Sequence, residues 1–323
     1  MITYLRNTFF ILQNIKVKLM YDIIGDIHGH YEMLVKLLIK LGYHKTGNTY
    51  MHPVRKAIFM GDFINRGNKI RATVKLIRRM VDYGSAYCIL GNHELNAILY
   101  ATIDKSGKAL QKRLPRYKLP LMKTLDEYSN YPDEFKETVK WFRQLPVYLD
   151  FGEIRIVHGS WNDNYIDTFK QYMNGETHLK KSFLKTYLEN KTLRKAVDGL
   201  VKGEEMQLPK DLLLKDENGI VRRTFRIKWW EPVNGKTFEA VSFGNRFNLP
   251  PYTIPPEIIP QIEQYPSDAP PVFNGHYCLD EENKFIFNGN ICCIDTCVTR
   301  TQKLSAYRWD GEQLLNPDKI VSA

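Results

Sequence analysis

Residues 19–29 read Leu-Met-Tyr-Asp-Ile-Ile-Gly-Asp-Ile-His-Gly, a predicted strand that runs directly into a turn carrying metal-capable side chains. Four further segments repeat this design: Gly-Asp-Phe-Ile-Asn-Arg-Gly at 61–67, Gly-Asn-His-Glu at 91–94, His-Gly-Ser-Trp at 158–161 and Asn-Gly-His at 274–276. Ligands of open α/β sheets bind beyond the carboxyl ends of the strands, so we expect the five turns to converge on one crevice. One such motif is as well explained by an ordinary turn, but five in order predict a site.

Strands and helices alternate around the first three of these turns. The periodicity of apolar residues predicts strands at 19–24, 57–60 and 86–90, helices at 31–41 and 69–82, and a further helix from about residue 93. This β-α-β-α-β order is typical of a parallel core sheet with helices packed against it. The remaining predicted strands lie at 147–151, 154–158, 272–276, 284–288, 291–295 and 303–309.

We expect a single domain over residues 20–315, preceded by a flexible extension over residues 1–19. The extension holds an apolar run that is too short to span a bilayer and is not followed by a cleavage site. Helical or basic insertions are expected around 101–145 and 162–230. The proline-dense stretch 250–271 is interpreted as a loop within the domain, because a candidate ligand follows it.

The composition is that of a globular protein with an excess of positive charge. Apolar residues make up 43% and charged residues 25% of the chain, which excludes a disordered or fibrous protein. The net charge of +10 favours anionic partners, but Lys and Arg are spread along the chain and do not by themselves predict nucleic-acid binding. We expect a cytoplasmic protein without a membrane span.

The five cysteines are expected to be free thiols in a reducing compartment. They are Cys88, Cys278, Cys292, Cys293 and Cys297, an odd number with none in C-x-x-C spacing. Cys292, Cys293 and Cys297 could in principle share a metal, but small apolar residues on or beside a buried strand are the favoured interpretation.

Aspartate oxygens and imidazole nitrogens at five strand ends indicate a metal site. Such ligands suit Mn, Fe or Zn, and a shared carboxylate can bridge two ions. Two cations a few ångströms apart can acidify a bound water and neutralise phosphate oxygens during an in-line displacement. The residue types are therefore compatible with metal-assisted hydrolysis of a phosphoester.

The ordered motifs resemble those of the calcineurin-like metallophosphoesterases, and more narrowly the phosphoprotein phosphatase branch with its bacterial relatives. The resemblance runs from about residue 20 to residue 310. It implies an α/β fold of four layers, an αββα sandwich in which two mixed β-sheets pack together with helices outside. It also implies a cofactor of two divalent metal ions, for which we expect Mn²⁺, with Fe or Zn as alternatives.

The resemblance implies six metal ligands, divided between two ions: Asp26, His28, Asp62, Asn92, His158 and His276. Asp26 and His28 would hold the first ion together with Asp62. The Asp62 carboxylate would bridge to the second ion, which the other three ligands complete.

The same resemblance implies catalytic roles for residues close to these ligands. His93 would act as the general acid, Arg66 would clamp phosphate oxygens, and Asn92 would contact the substrate beside them. An aspartate normally stands where this chain has Asn65. Asn65 can accept a hydrogen bond from His93 through its amide oxygen but supplies no negative charge, so we expect a lower imidazolium pKa than beside aspartate.

The sequence thus favours a phosphoester hydrolase with a dinuclear centre, similar to serine/threonine protein phosphatases. The alternative is a dinucleoside polyphosphate hydrolase. The chain lacks the Ser-Ala-Pro-Asn-Tyr stretch that eukaryotic-type protein phosphatases carry after Gly-His, and His-Gly-Ser-Trp replaces their His-Gly-Gly. A base stacked against Trp161 or Tyr277 would favour nucleotides, whereas an open shallow groove would favour phosphoproteins.

Two further interpretations stay open at this point. Arg222, Arg223 and Arg226 are candidates for a second phosphate-binding arginine, although an exposed charged strand is favoured for them. A function from another class is also conceivable, in which a weakly active protein binds RNA or another polyanion through the basic region 162–230. The complete set of metal-capable residues argues against that function.

Overall fold

The strands that lead into the five turns divide between two mixed, five-stranded sheets. The structure, a computed structural model, describes residues 20–173, 179–209, 212, 214–215, 221–243, 249, 251–259, 262–279 and 285–323. The predicted extension over residues 1–19 lies outside the described residues. Within the described part of the chain, no helix combines the length and the apolar character needed to cross a membrane.

The first sheet carries the first three turns. Its strands lie in the order Ile320–Ser322, Ser305–Trp309, Met20–Ile24, Arg55–Phe59 and Ala86–Cys88. The last three strands run parallel, whereas Ser305–Trp309 pairs antiparallel with Met20–Ile24. The carboxyl ends of the three parallel strands therefore lie at one edge of the sheet, where the predicted turns begin.

The second sheet carries the other two turns. Its strands lie in the order Ile286–Phe287, Ile291–Cys293, Val272–Asn274, Arg155–Val157 and Tyr148–Asp150. The three central strands are parallel, and each outer strand pairs antiparallel with its neighbour. The predicted hairpin over 147–158 is present as the Tyr148–Asp150 and Arg155–Val157 pair.

The two sheets pack face to face, and successive side chains alternate between that interface and the helices outside. Ile23 and Ile58 of the first sheet share a buried cluster with Ile156 and Phe273 of the second. The next residue along the first strand, Ile24, belongs instead to the cluster formed with the helices. This alternation has the period of a strand, and it confirms the predicted sandwich of two mixed sheets between helical layers.

Helices follow the strands and bury one apolar face each. The helices of eight or more residues are Tyr31–Lys40, Ile70–Asp82, Asn92–Ala101, Pro132–Phe142, Asp163–Met173, Lys181–Glu189 and Lys191–Lys202. The shorter helices and 3₁₀ turns are Pro115–Lys118, Leu119–Leu121, Met122–Glu127, Phe238–Val241, Pro256–Ile258, Val298–Thr301 and Pro317–Lys319. Three ribbons complete the fold: His44–Thr46 with Thr49–Met51, Glu205–Gln207 with Thr224–Arg226, and Leu214–Lys215 with Val221–Arg222.

Asp22 interrupts the apolar run of the first strand because it is the centre of a buried ion-pair network. Its Oδ1 atom accepts hydrogen bonds from Arg55 Nε at 3.0 Å and from Arg308 Nε at 3.1 Å. Burial raises the pKa of Asp22, and the two guanidinium groups oppose that rise. The network links three neighbouring strands of the first sheet.

The cysteines differ from the prediction of five free thiols. Cys278 and Cys297 form a disulfide, whereas Cys88, Cys292 and Cys293 are free and buried. Cys292 lies in the cluster between the sheets and Cys293 in the cluster under the helices, as alternation along a strand requires. The idea that Cys292, Cys293 and Cys297 share a metal is therefore wrong.

Candidate metal centre and active site

The five turns meet where the carboxyl ends of the parallel strands of both sheets converge. Within the first sheet, His28 N–H donates to the carbonyl oxygen of Asp62 at 2.8 Å. Within the second, Gly275 N–H donates to the carbonyl oxygen of His158 at 3.1 Å. The two sets are joined because the His158 ring donates from Nδ1 to the carbonyl oxygen of Met60 at 2.6 Å.

The Asp62 carboxylate lies at the centre of the candidate site. His158 Nε2 lies 3.3 Å from Oδ1, and the Nε2 atoms of His28 and His93 each lie 3.7 Å from Oδ2. Two groups of three donor atoms, each within 4.8 Å of one another, share this carboxylate: His28 with His93, and His158 with His276. A carboxylate shared by two such groups is the arrangement that a bridging ligand requires.

Asp26 and Asn92, the remaining predicted ligands, border the same groups. Asn92 Oδ1 lies 3.1 Å from His158 Nε2. Asp26 Oδ2 accepts a hydrogen bond from the His276 backbone N–H at 3.2 Å. The structure therefore brings all six predicted ligands together, and it places His93, predicted as the general acid, as close to Asp62 as His28 is.

The histidine rings present donor atoms that fit divalent ions. His28 Nδ1 donates to the carbonyl oxygen of Ile64 at 2.9 Å, which directs its Nε2 towards Asp62. His276 Nε2 is buried and has no hydrogen-bond partner. A buried imidazole nitrogen without a partner, beside carboxylate oxygens, is the donor set that Mn, Fe and Zn accept. The residues present fit a metal centre.

Burial and mutual charge perturb the pKa values throughout the cluster. Burial raises the pKa of Asp62, but the neighbouring His158 and His93 outweigh this effect and hold that pKa well below its usual range. Burial lowers the pKa of His158, but the neighbouring Asp62 and Asp26 outweigh this effect and raise that pKa to about 10. Burial, reinforced by His93 and Arg66, lowers the pKa of His28 to about 3. Such divergent pKa values in one cleft are typical of functional sites.

We expected Asn65 to face His93 with its amide oxygen, but it faces His93 with its amide nitrogen. The amide nitrogen Nδ2 faces His93 Nδ1, and the Thr124 hydroxyl donates to Asn65 Oδ1 at 2.5 Å. Because an amide nitrogen only donates, His93 Nδ1 must accept, and the ring proton lies on Nε2. That nitrogen faces Asp62. Burial lowers the pKa of His93 to about 4. The charges of Arg66 and His158 act in the same direction, and the charge of Asp62 acts in the opposite one.

The site loops hold several side chains in strained backbone conformations. Nine non-glycine residues among those described have positive φ, and five of them are predicted site residues: His28, Asp62, Asn65, Arg66 and His276, with φ between 46° and 70°. Left-handed backbone costs a non-glycine residue about 1–3 kcal/mol, and it persists where the surroundings enforce it, often at active sites.

Two carboxylates that the sequence analysis left without a role support these loops. Fully buried Glu94 accepts hydrogen bonds from the backbone N–H groups of Asp62 and Phe63, both at 2.8 Å. Asp295 accepts from the backbone N–H groups of Cys278 at 2.6 Å and Cys297 at 2.8 Å. Asp295 follows the parallel strand Ile291–Cys293, so the rule that located the five turns could also have located it.

A cleft of about 1560 Å³ opens from the candidate metal centre. Five cationic side chains line it, Arg66, Lys123, Lys195, Lys202 and Arg226, and they outnumber its three carboxylates, Asp198, Glu204 and Glu205. Arg226 is half-buried and donates from Nη1 to the carbonyl oxygen of His276 at 2.9 Å. The expectation of an exposed strand is therefore wrong for Arg226, whereas Arg223 is exposed.

The two aromatic residues proposed as base platforms do not line this cleft. Tyr277 is fully buried, and its ring packs edge-on against Trp230 and Phe243. Trp161 is 4% exposed and donates from Nε1 to Asp163 at 3.0 Å. Neither ring is available to a substrate held at the metal centre, because each is committed to packing.

Comparisons with known proteins identify one family and a group of bacterial relatives. The family model described as calcineurin-like phosphoesterase matches residues 21–238. An asymmetrical bis(5'-nucleosyl)-tetraphosphatase PrpE of Geobacillus sp. (strain WCH70) is 33% identical over 174 residues, covering 49% of this chain and 67% of that protein. The corresponding protein of Halalkalibacterium halodurans is 32% identical over 143 residues, covering 42% of this chain and 54% of that one. The chain thus spans roughly half to two thirds of these relatives' lengths.

The fold is also similar to a solved structure, that of a cold-active protein-tyrosine phosphatase from a psychrophilic Shewanella sp. The TM-score is 0.50 at 14% sequence identity, and the match covers 91% of this chain and 80% of that one. At this identity the likeness is one of fold alone.

Proposed function

The chain belongs to the calcineurin-like phosphoesterase family of metal-dependent hydrolases, and from that premise we propose that it hydrolyses dinucleoside polyphosphates asymmetrically with two divalent ions, of which Mn²⁺ is the expected metal. The observation that carries the proposal is the Asp62 carboxylate, shared by two groups of donor atoms, of which His93 and His276 also line the cleft. The relatives' names supply the substrate class, and they favour this alternative over the protein-phosphatase interpretation.

In this proposal the six ligands hold two ions: Asp26, His28, Asp62, Asn92, His158 and His276. Divalent ions in such a centre supply an activated water and neutralise phosphoryl charge. His28 and His158 are held for this task by Nδ1–H bonds to backbone carbonyls, which direct Nε2 towards Asp62.

The chain's own residues position the substrate and supply a proton. Arg66 and Arg226 line the same cleft and can bind phosphoryl oxygens through their planar guanidinium groups. His93 carries its ring proton on Nε2, the nitrogen that faces the cluster, and can donate it to the leaving oxygen. Asn65 and Thr124 keep the imidazole in that tautomer.

Incubation of the purified chain with diadenosine tetraphosphate and MnCl₂ tests the proposal. Asymmetrical cleavage of four phosphates releases AMP and ATP, whereas symmetrical cleavage releases two ADP molecules, and chromatography separates these products. A phosphoserine peptide is assayed in parallel. We expect AMP and ATP, with kcat/KM for the dinucleotide at least about tenfold above that for the phosphopeptide.

A matched pair of variants assigns the activity to the site. His93→Ala should lower kcat by about 10²–10⁴-fold, whereas His44→Ala, an exposed histidine in a surface ribbon, should leave kcat unchanged. Hydrolysis of the phosphopeptide alone would contradict the substrate proposed here and support a protein phosphatase. Metal-loaded protein that is inert towards both substrates would support a polyanion-binding protein.

A further inference from the structure

Large apolar side chains are exposed on the walls of the cationic cleft. Leu119 is 59% exposed, Met122 is 42% exposed and Val221 is 48% exposed, and all three line the cleft that contains Arg66 and the metal candidates. Exposed single apolar residues are common on protein surfaces. Three of them in one cleft with five cations call for a separate explanation, because a substrate made of phosphate alone would gain nothing from them.

Leu119 and Met122 belong to a wall that is anchored to the loop 61–67. The residues that follow them, Lys123 and Thr124, contact that loop: Lys123 Nζ donates to the carbonyl oxygen of Arg66 at 2.7 Å, and Thr124 donates to the Asn65 amide. The apolar side chains are therefore held within one helical turn of the residues that contact Arg66 and Asn65.

Val221 belongs to a second segment of the lining and lies three residues before the strand that carries the other arginine of the cleft. The neighbouring strand Thr224–Arg226 pairs with Glu205–Gln207, so that Phe225 lies opposite Met206 in a small separate core. Arg226, at the end of that strand, donates to the carbonyl oxygen of His276. Leu119 and Met122 thus lie next to residues that contact the loop of Arg66, and Val221 lies five residues before Arg226.

The lining suits an occupant that carries both negative charge and a flat, uncharged group. The cations of the cleft outnumber its three carboxylates, Asp198, Glu204 and Glu205, and can bind phosphate oxygens. Uncharged apolar side chains can pack against the face of a purine, since every base presents an apolar π-face. We propose that Leu119, Met122 and Val221 hold one nucleobase of the substrate and so determine specificity for nucleotides over other phosphate compounds. This inference rests on the proposed function and names the residues that select its substrate.

Alanine substitutions that separate base binding from phosphate binding test the inference. Leu119→Ala and Met122→Ala are made singly and together, and Leu314→Ala serves as the matched control because Leu314 is 71% exposed and does not line the cleft. KM is measured with diadenosine tetraphosphate. Inorganic tripolyphosphate, which has the charge but no base, is measured as a competitive inhibitor of the same reaction.

The double variant should raise KM for the dinucleotide about tenfold, the loss expected for a stacked base. The inhibition constant of tripolyphosphate should stay within about twofold of the wild type, and Leu314→Ala should change neither quantity. Equal weakening of dinucleotide and tripolyphosphate, or a KM that does not change, overturns the inference while wild-type hydrolysis keeps the proposed function. Absence of dinucleotide hydrolysis by the wild type overturns the proposed function and the inference together.

Discussion

At the scale of single residues, the most informative position is Asn65. Its amide nitrogen faces His93 Nδ1, so it disfavours the doubly protonated imidazolium that an aspartate in its place would stabilise. The low pKa of His93, about 4, agrees with this arrangement, since burial, Arg66 and His158 all favour the neutral ring. The chain therefore holds its proton donor in one neutral tautomer.

Asn65→Asp should increase the fraction of His93 that is protonated as the imidazolium and is therefore able to act as a general acid. The new carboxylate would accept from Nδ1–H and attract the imidazolium, which raises the pKa of His93. The alkaline limb of the pH–kcat/KM profile should move upward by about one pH unit or more, and kcat should rise. Asn68→Asp adds the same charge on the exposed part of the loop and should leave the limb in place. An Asn65→Asp profile superimposable on the wild type would refute this role.

The pKa of His158 gives a second prediction at this scale, for metal binding. Because that pKa is about 10 without metal, His158 is protonated at pH 7, and a metal ion must displace the proton from Nε2. At pH values below this pKa, the neutral fraction of His158 increases about tenfold for each unit by which the pH rises. The Mn²⁺ affinity should therefore rise by up to about tenfold per unit between pH 6 and 8. Calorimetry in two buffers of different ionisation enthalpy should detect about one proton released. Affinity that is independent of pH would contradict this protonation state.

At the scale of elements, the first turn of helix Asn92–Ala101 holds the loop that follows strand Arg55–Phe59. Glu94 accepts from Asp62 and Phe63 N–H, and more weakly from Gly91 N–H at 3.2 Å. His93 N–H in turn donates to Asp62 Oδ1 at 3.0 Å. The helix start and the loop therefore fix one another, and the position of Asp62 depends on both.

Glu94→Gln should loosen this contact. In the wild type the backbone N–H groups find carboxylate oxygens as acceptors, whereas the glutamine NH₂ group would place a donor opposite some of them. Each lost hydrogen-bond partner in a buried site costs about 1–3 kcal/mol. We expect the free energy of unfolding, measured in urea, to fall by about 2 kcal/mol or more, together with weaker Mn²⁺ binding. Glu137→Gln, on an exposed helix face, is the control and should change neither. Wild-type stability in Glu94→Gln would show that the carboxylate does not hold the loop.

The comparison of sequence with structure also belongs to this scale. The five turns are predictable because each is encoded locally, by an apolar strand that ends in Gly and a metal-capable residue. Two observed strands end at Cys88 and Asn274, about two residues before their predicted ends, because the residues that follow bend away into the site. The Thr124 contact and the Cys278–Cys297 disulfide join segments that are distant in sequence and match no motif, so only the packed structure reveals them.

At the scale of the whole molecule, the candidate site depends on ligands that come from both sheets. The first sheet supplies Asp26, His28 and Asp62, and the second supplies His158 and His276, so neither sheet alone can form the two groups of donor atoms. The buried cluster between the sheets holds them in register. A dinuclear centre at this junction is the central claim.

Anomalous diffraction from crystals grown with MnCl₂ tests that claim most directly. We expect two peaks on either side of the Asp62 carboxylate, about 3.5–4 Å apart, one beside His28 and the other beside His158 and His276. A single peak, or manganese bound away from Asp62, would contradict a bridged pair of ions in this site.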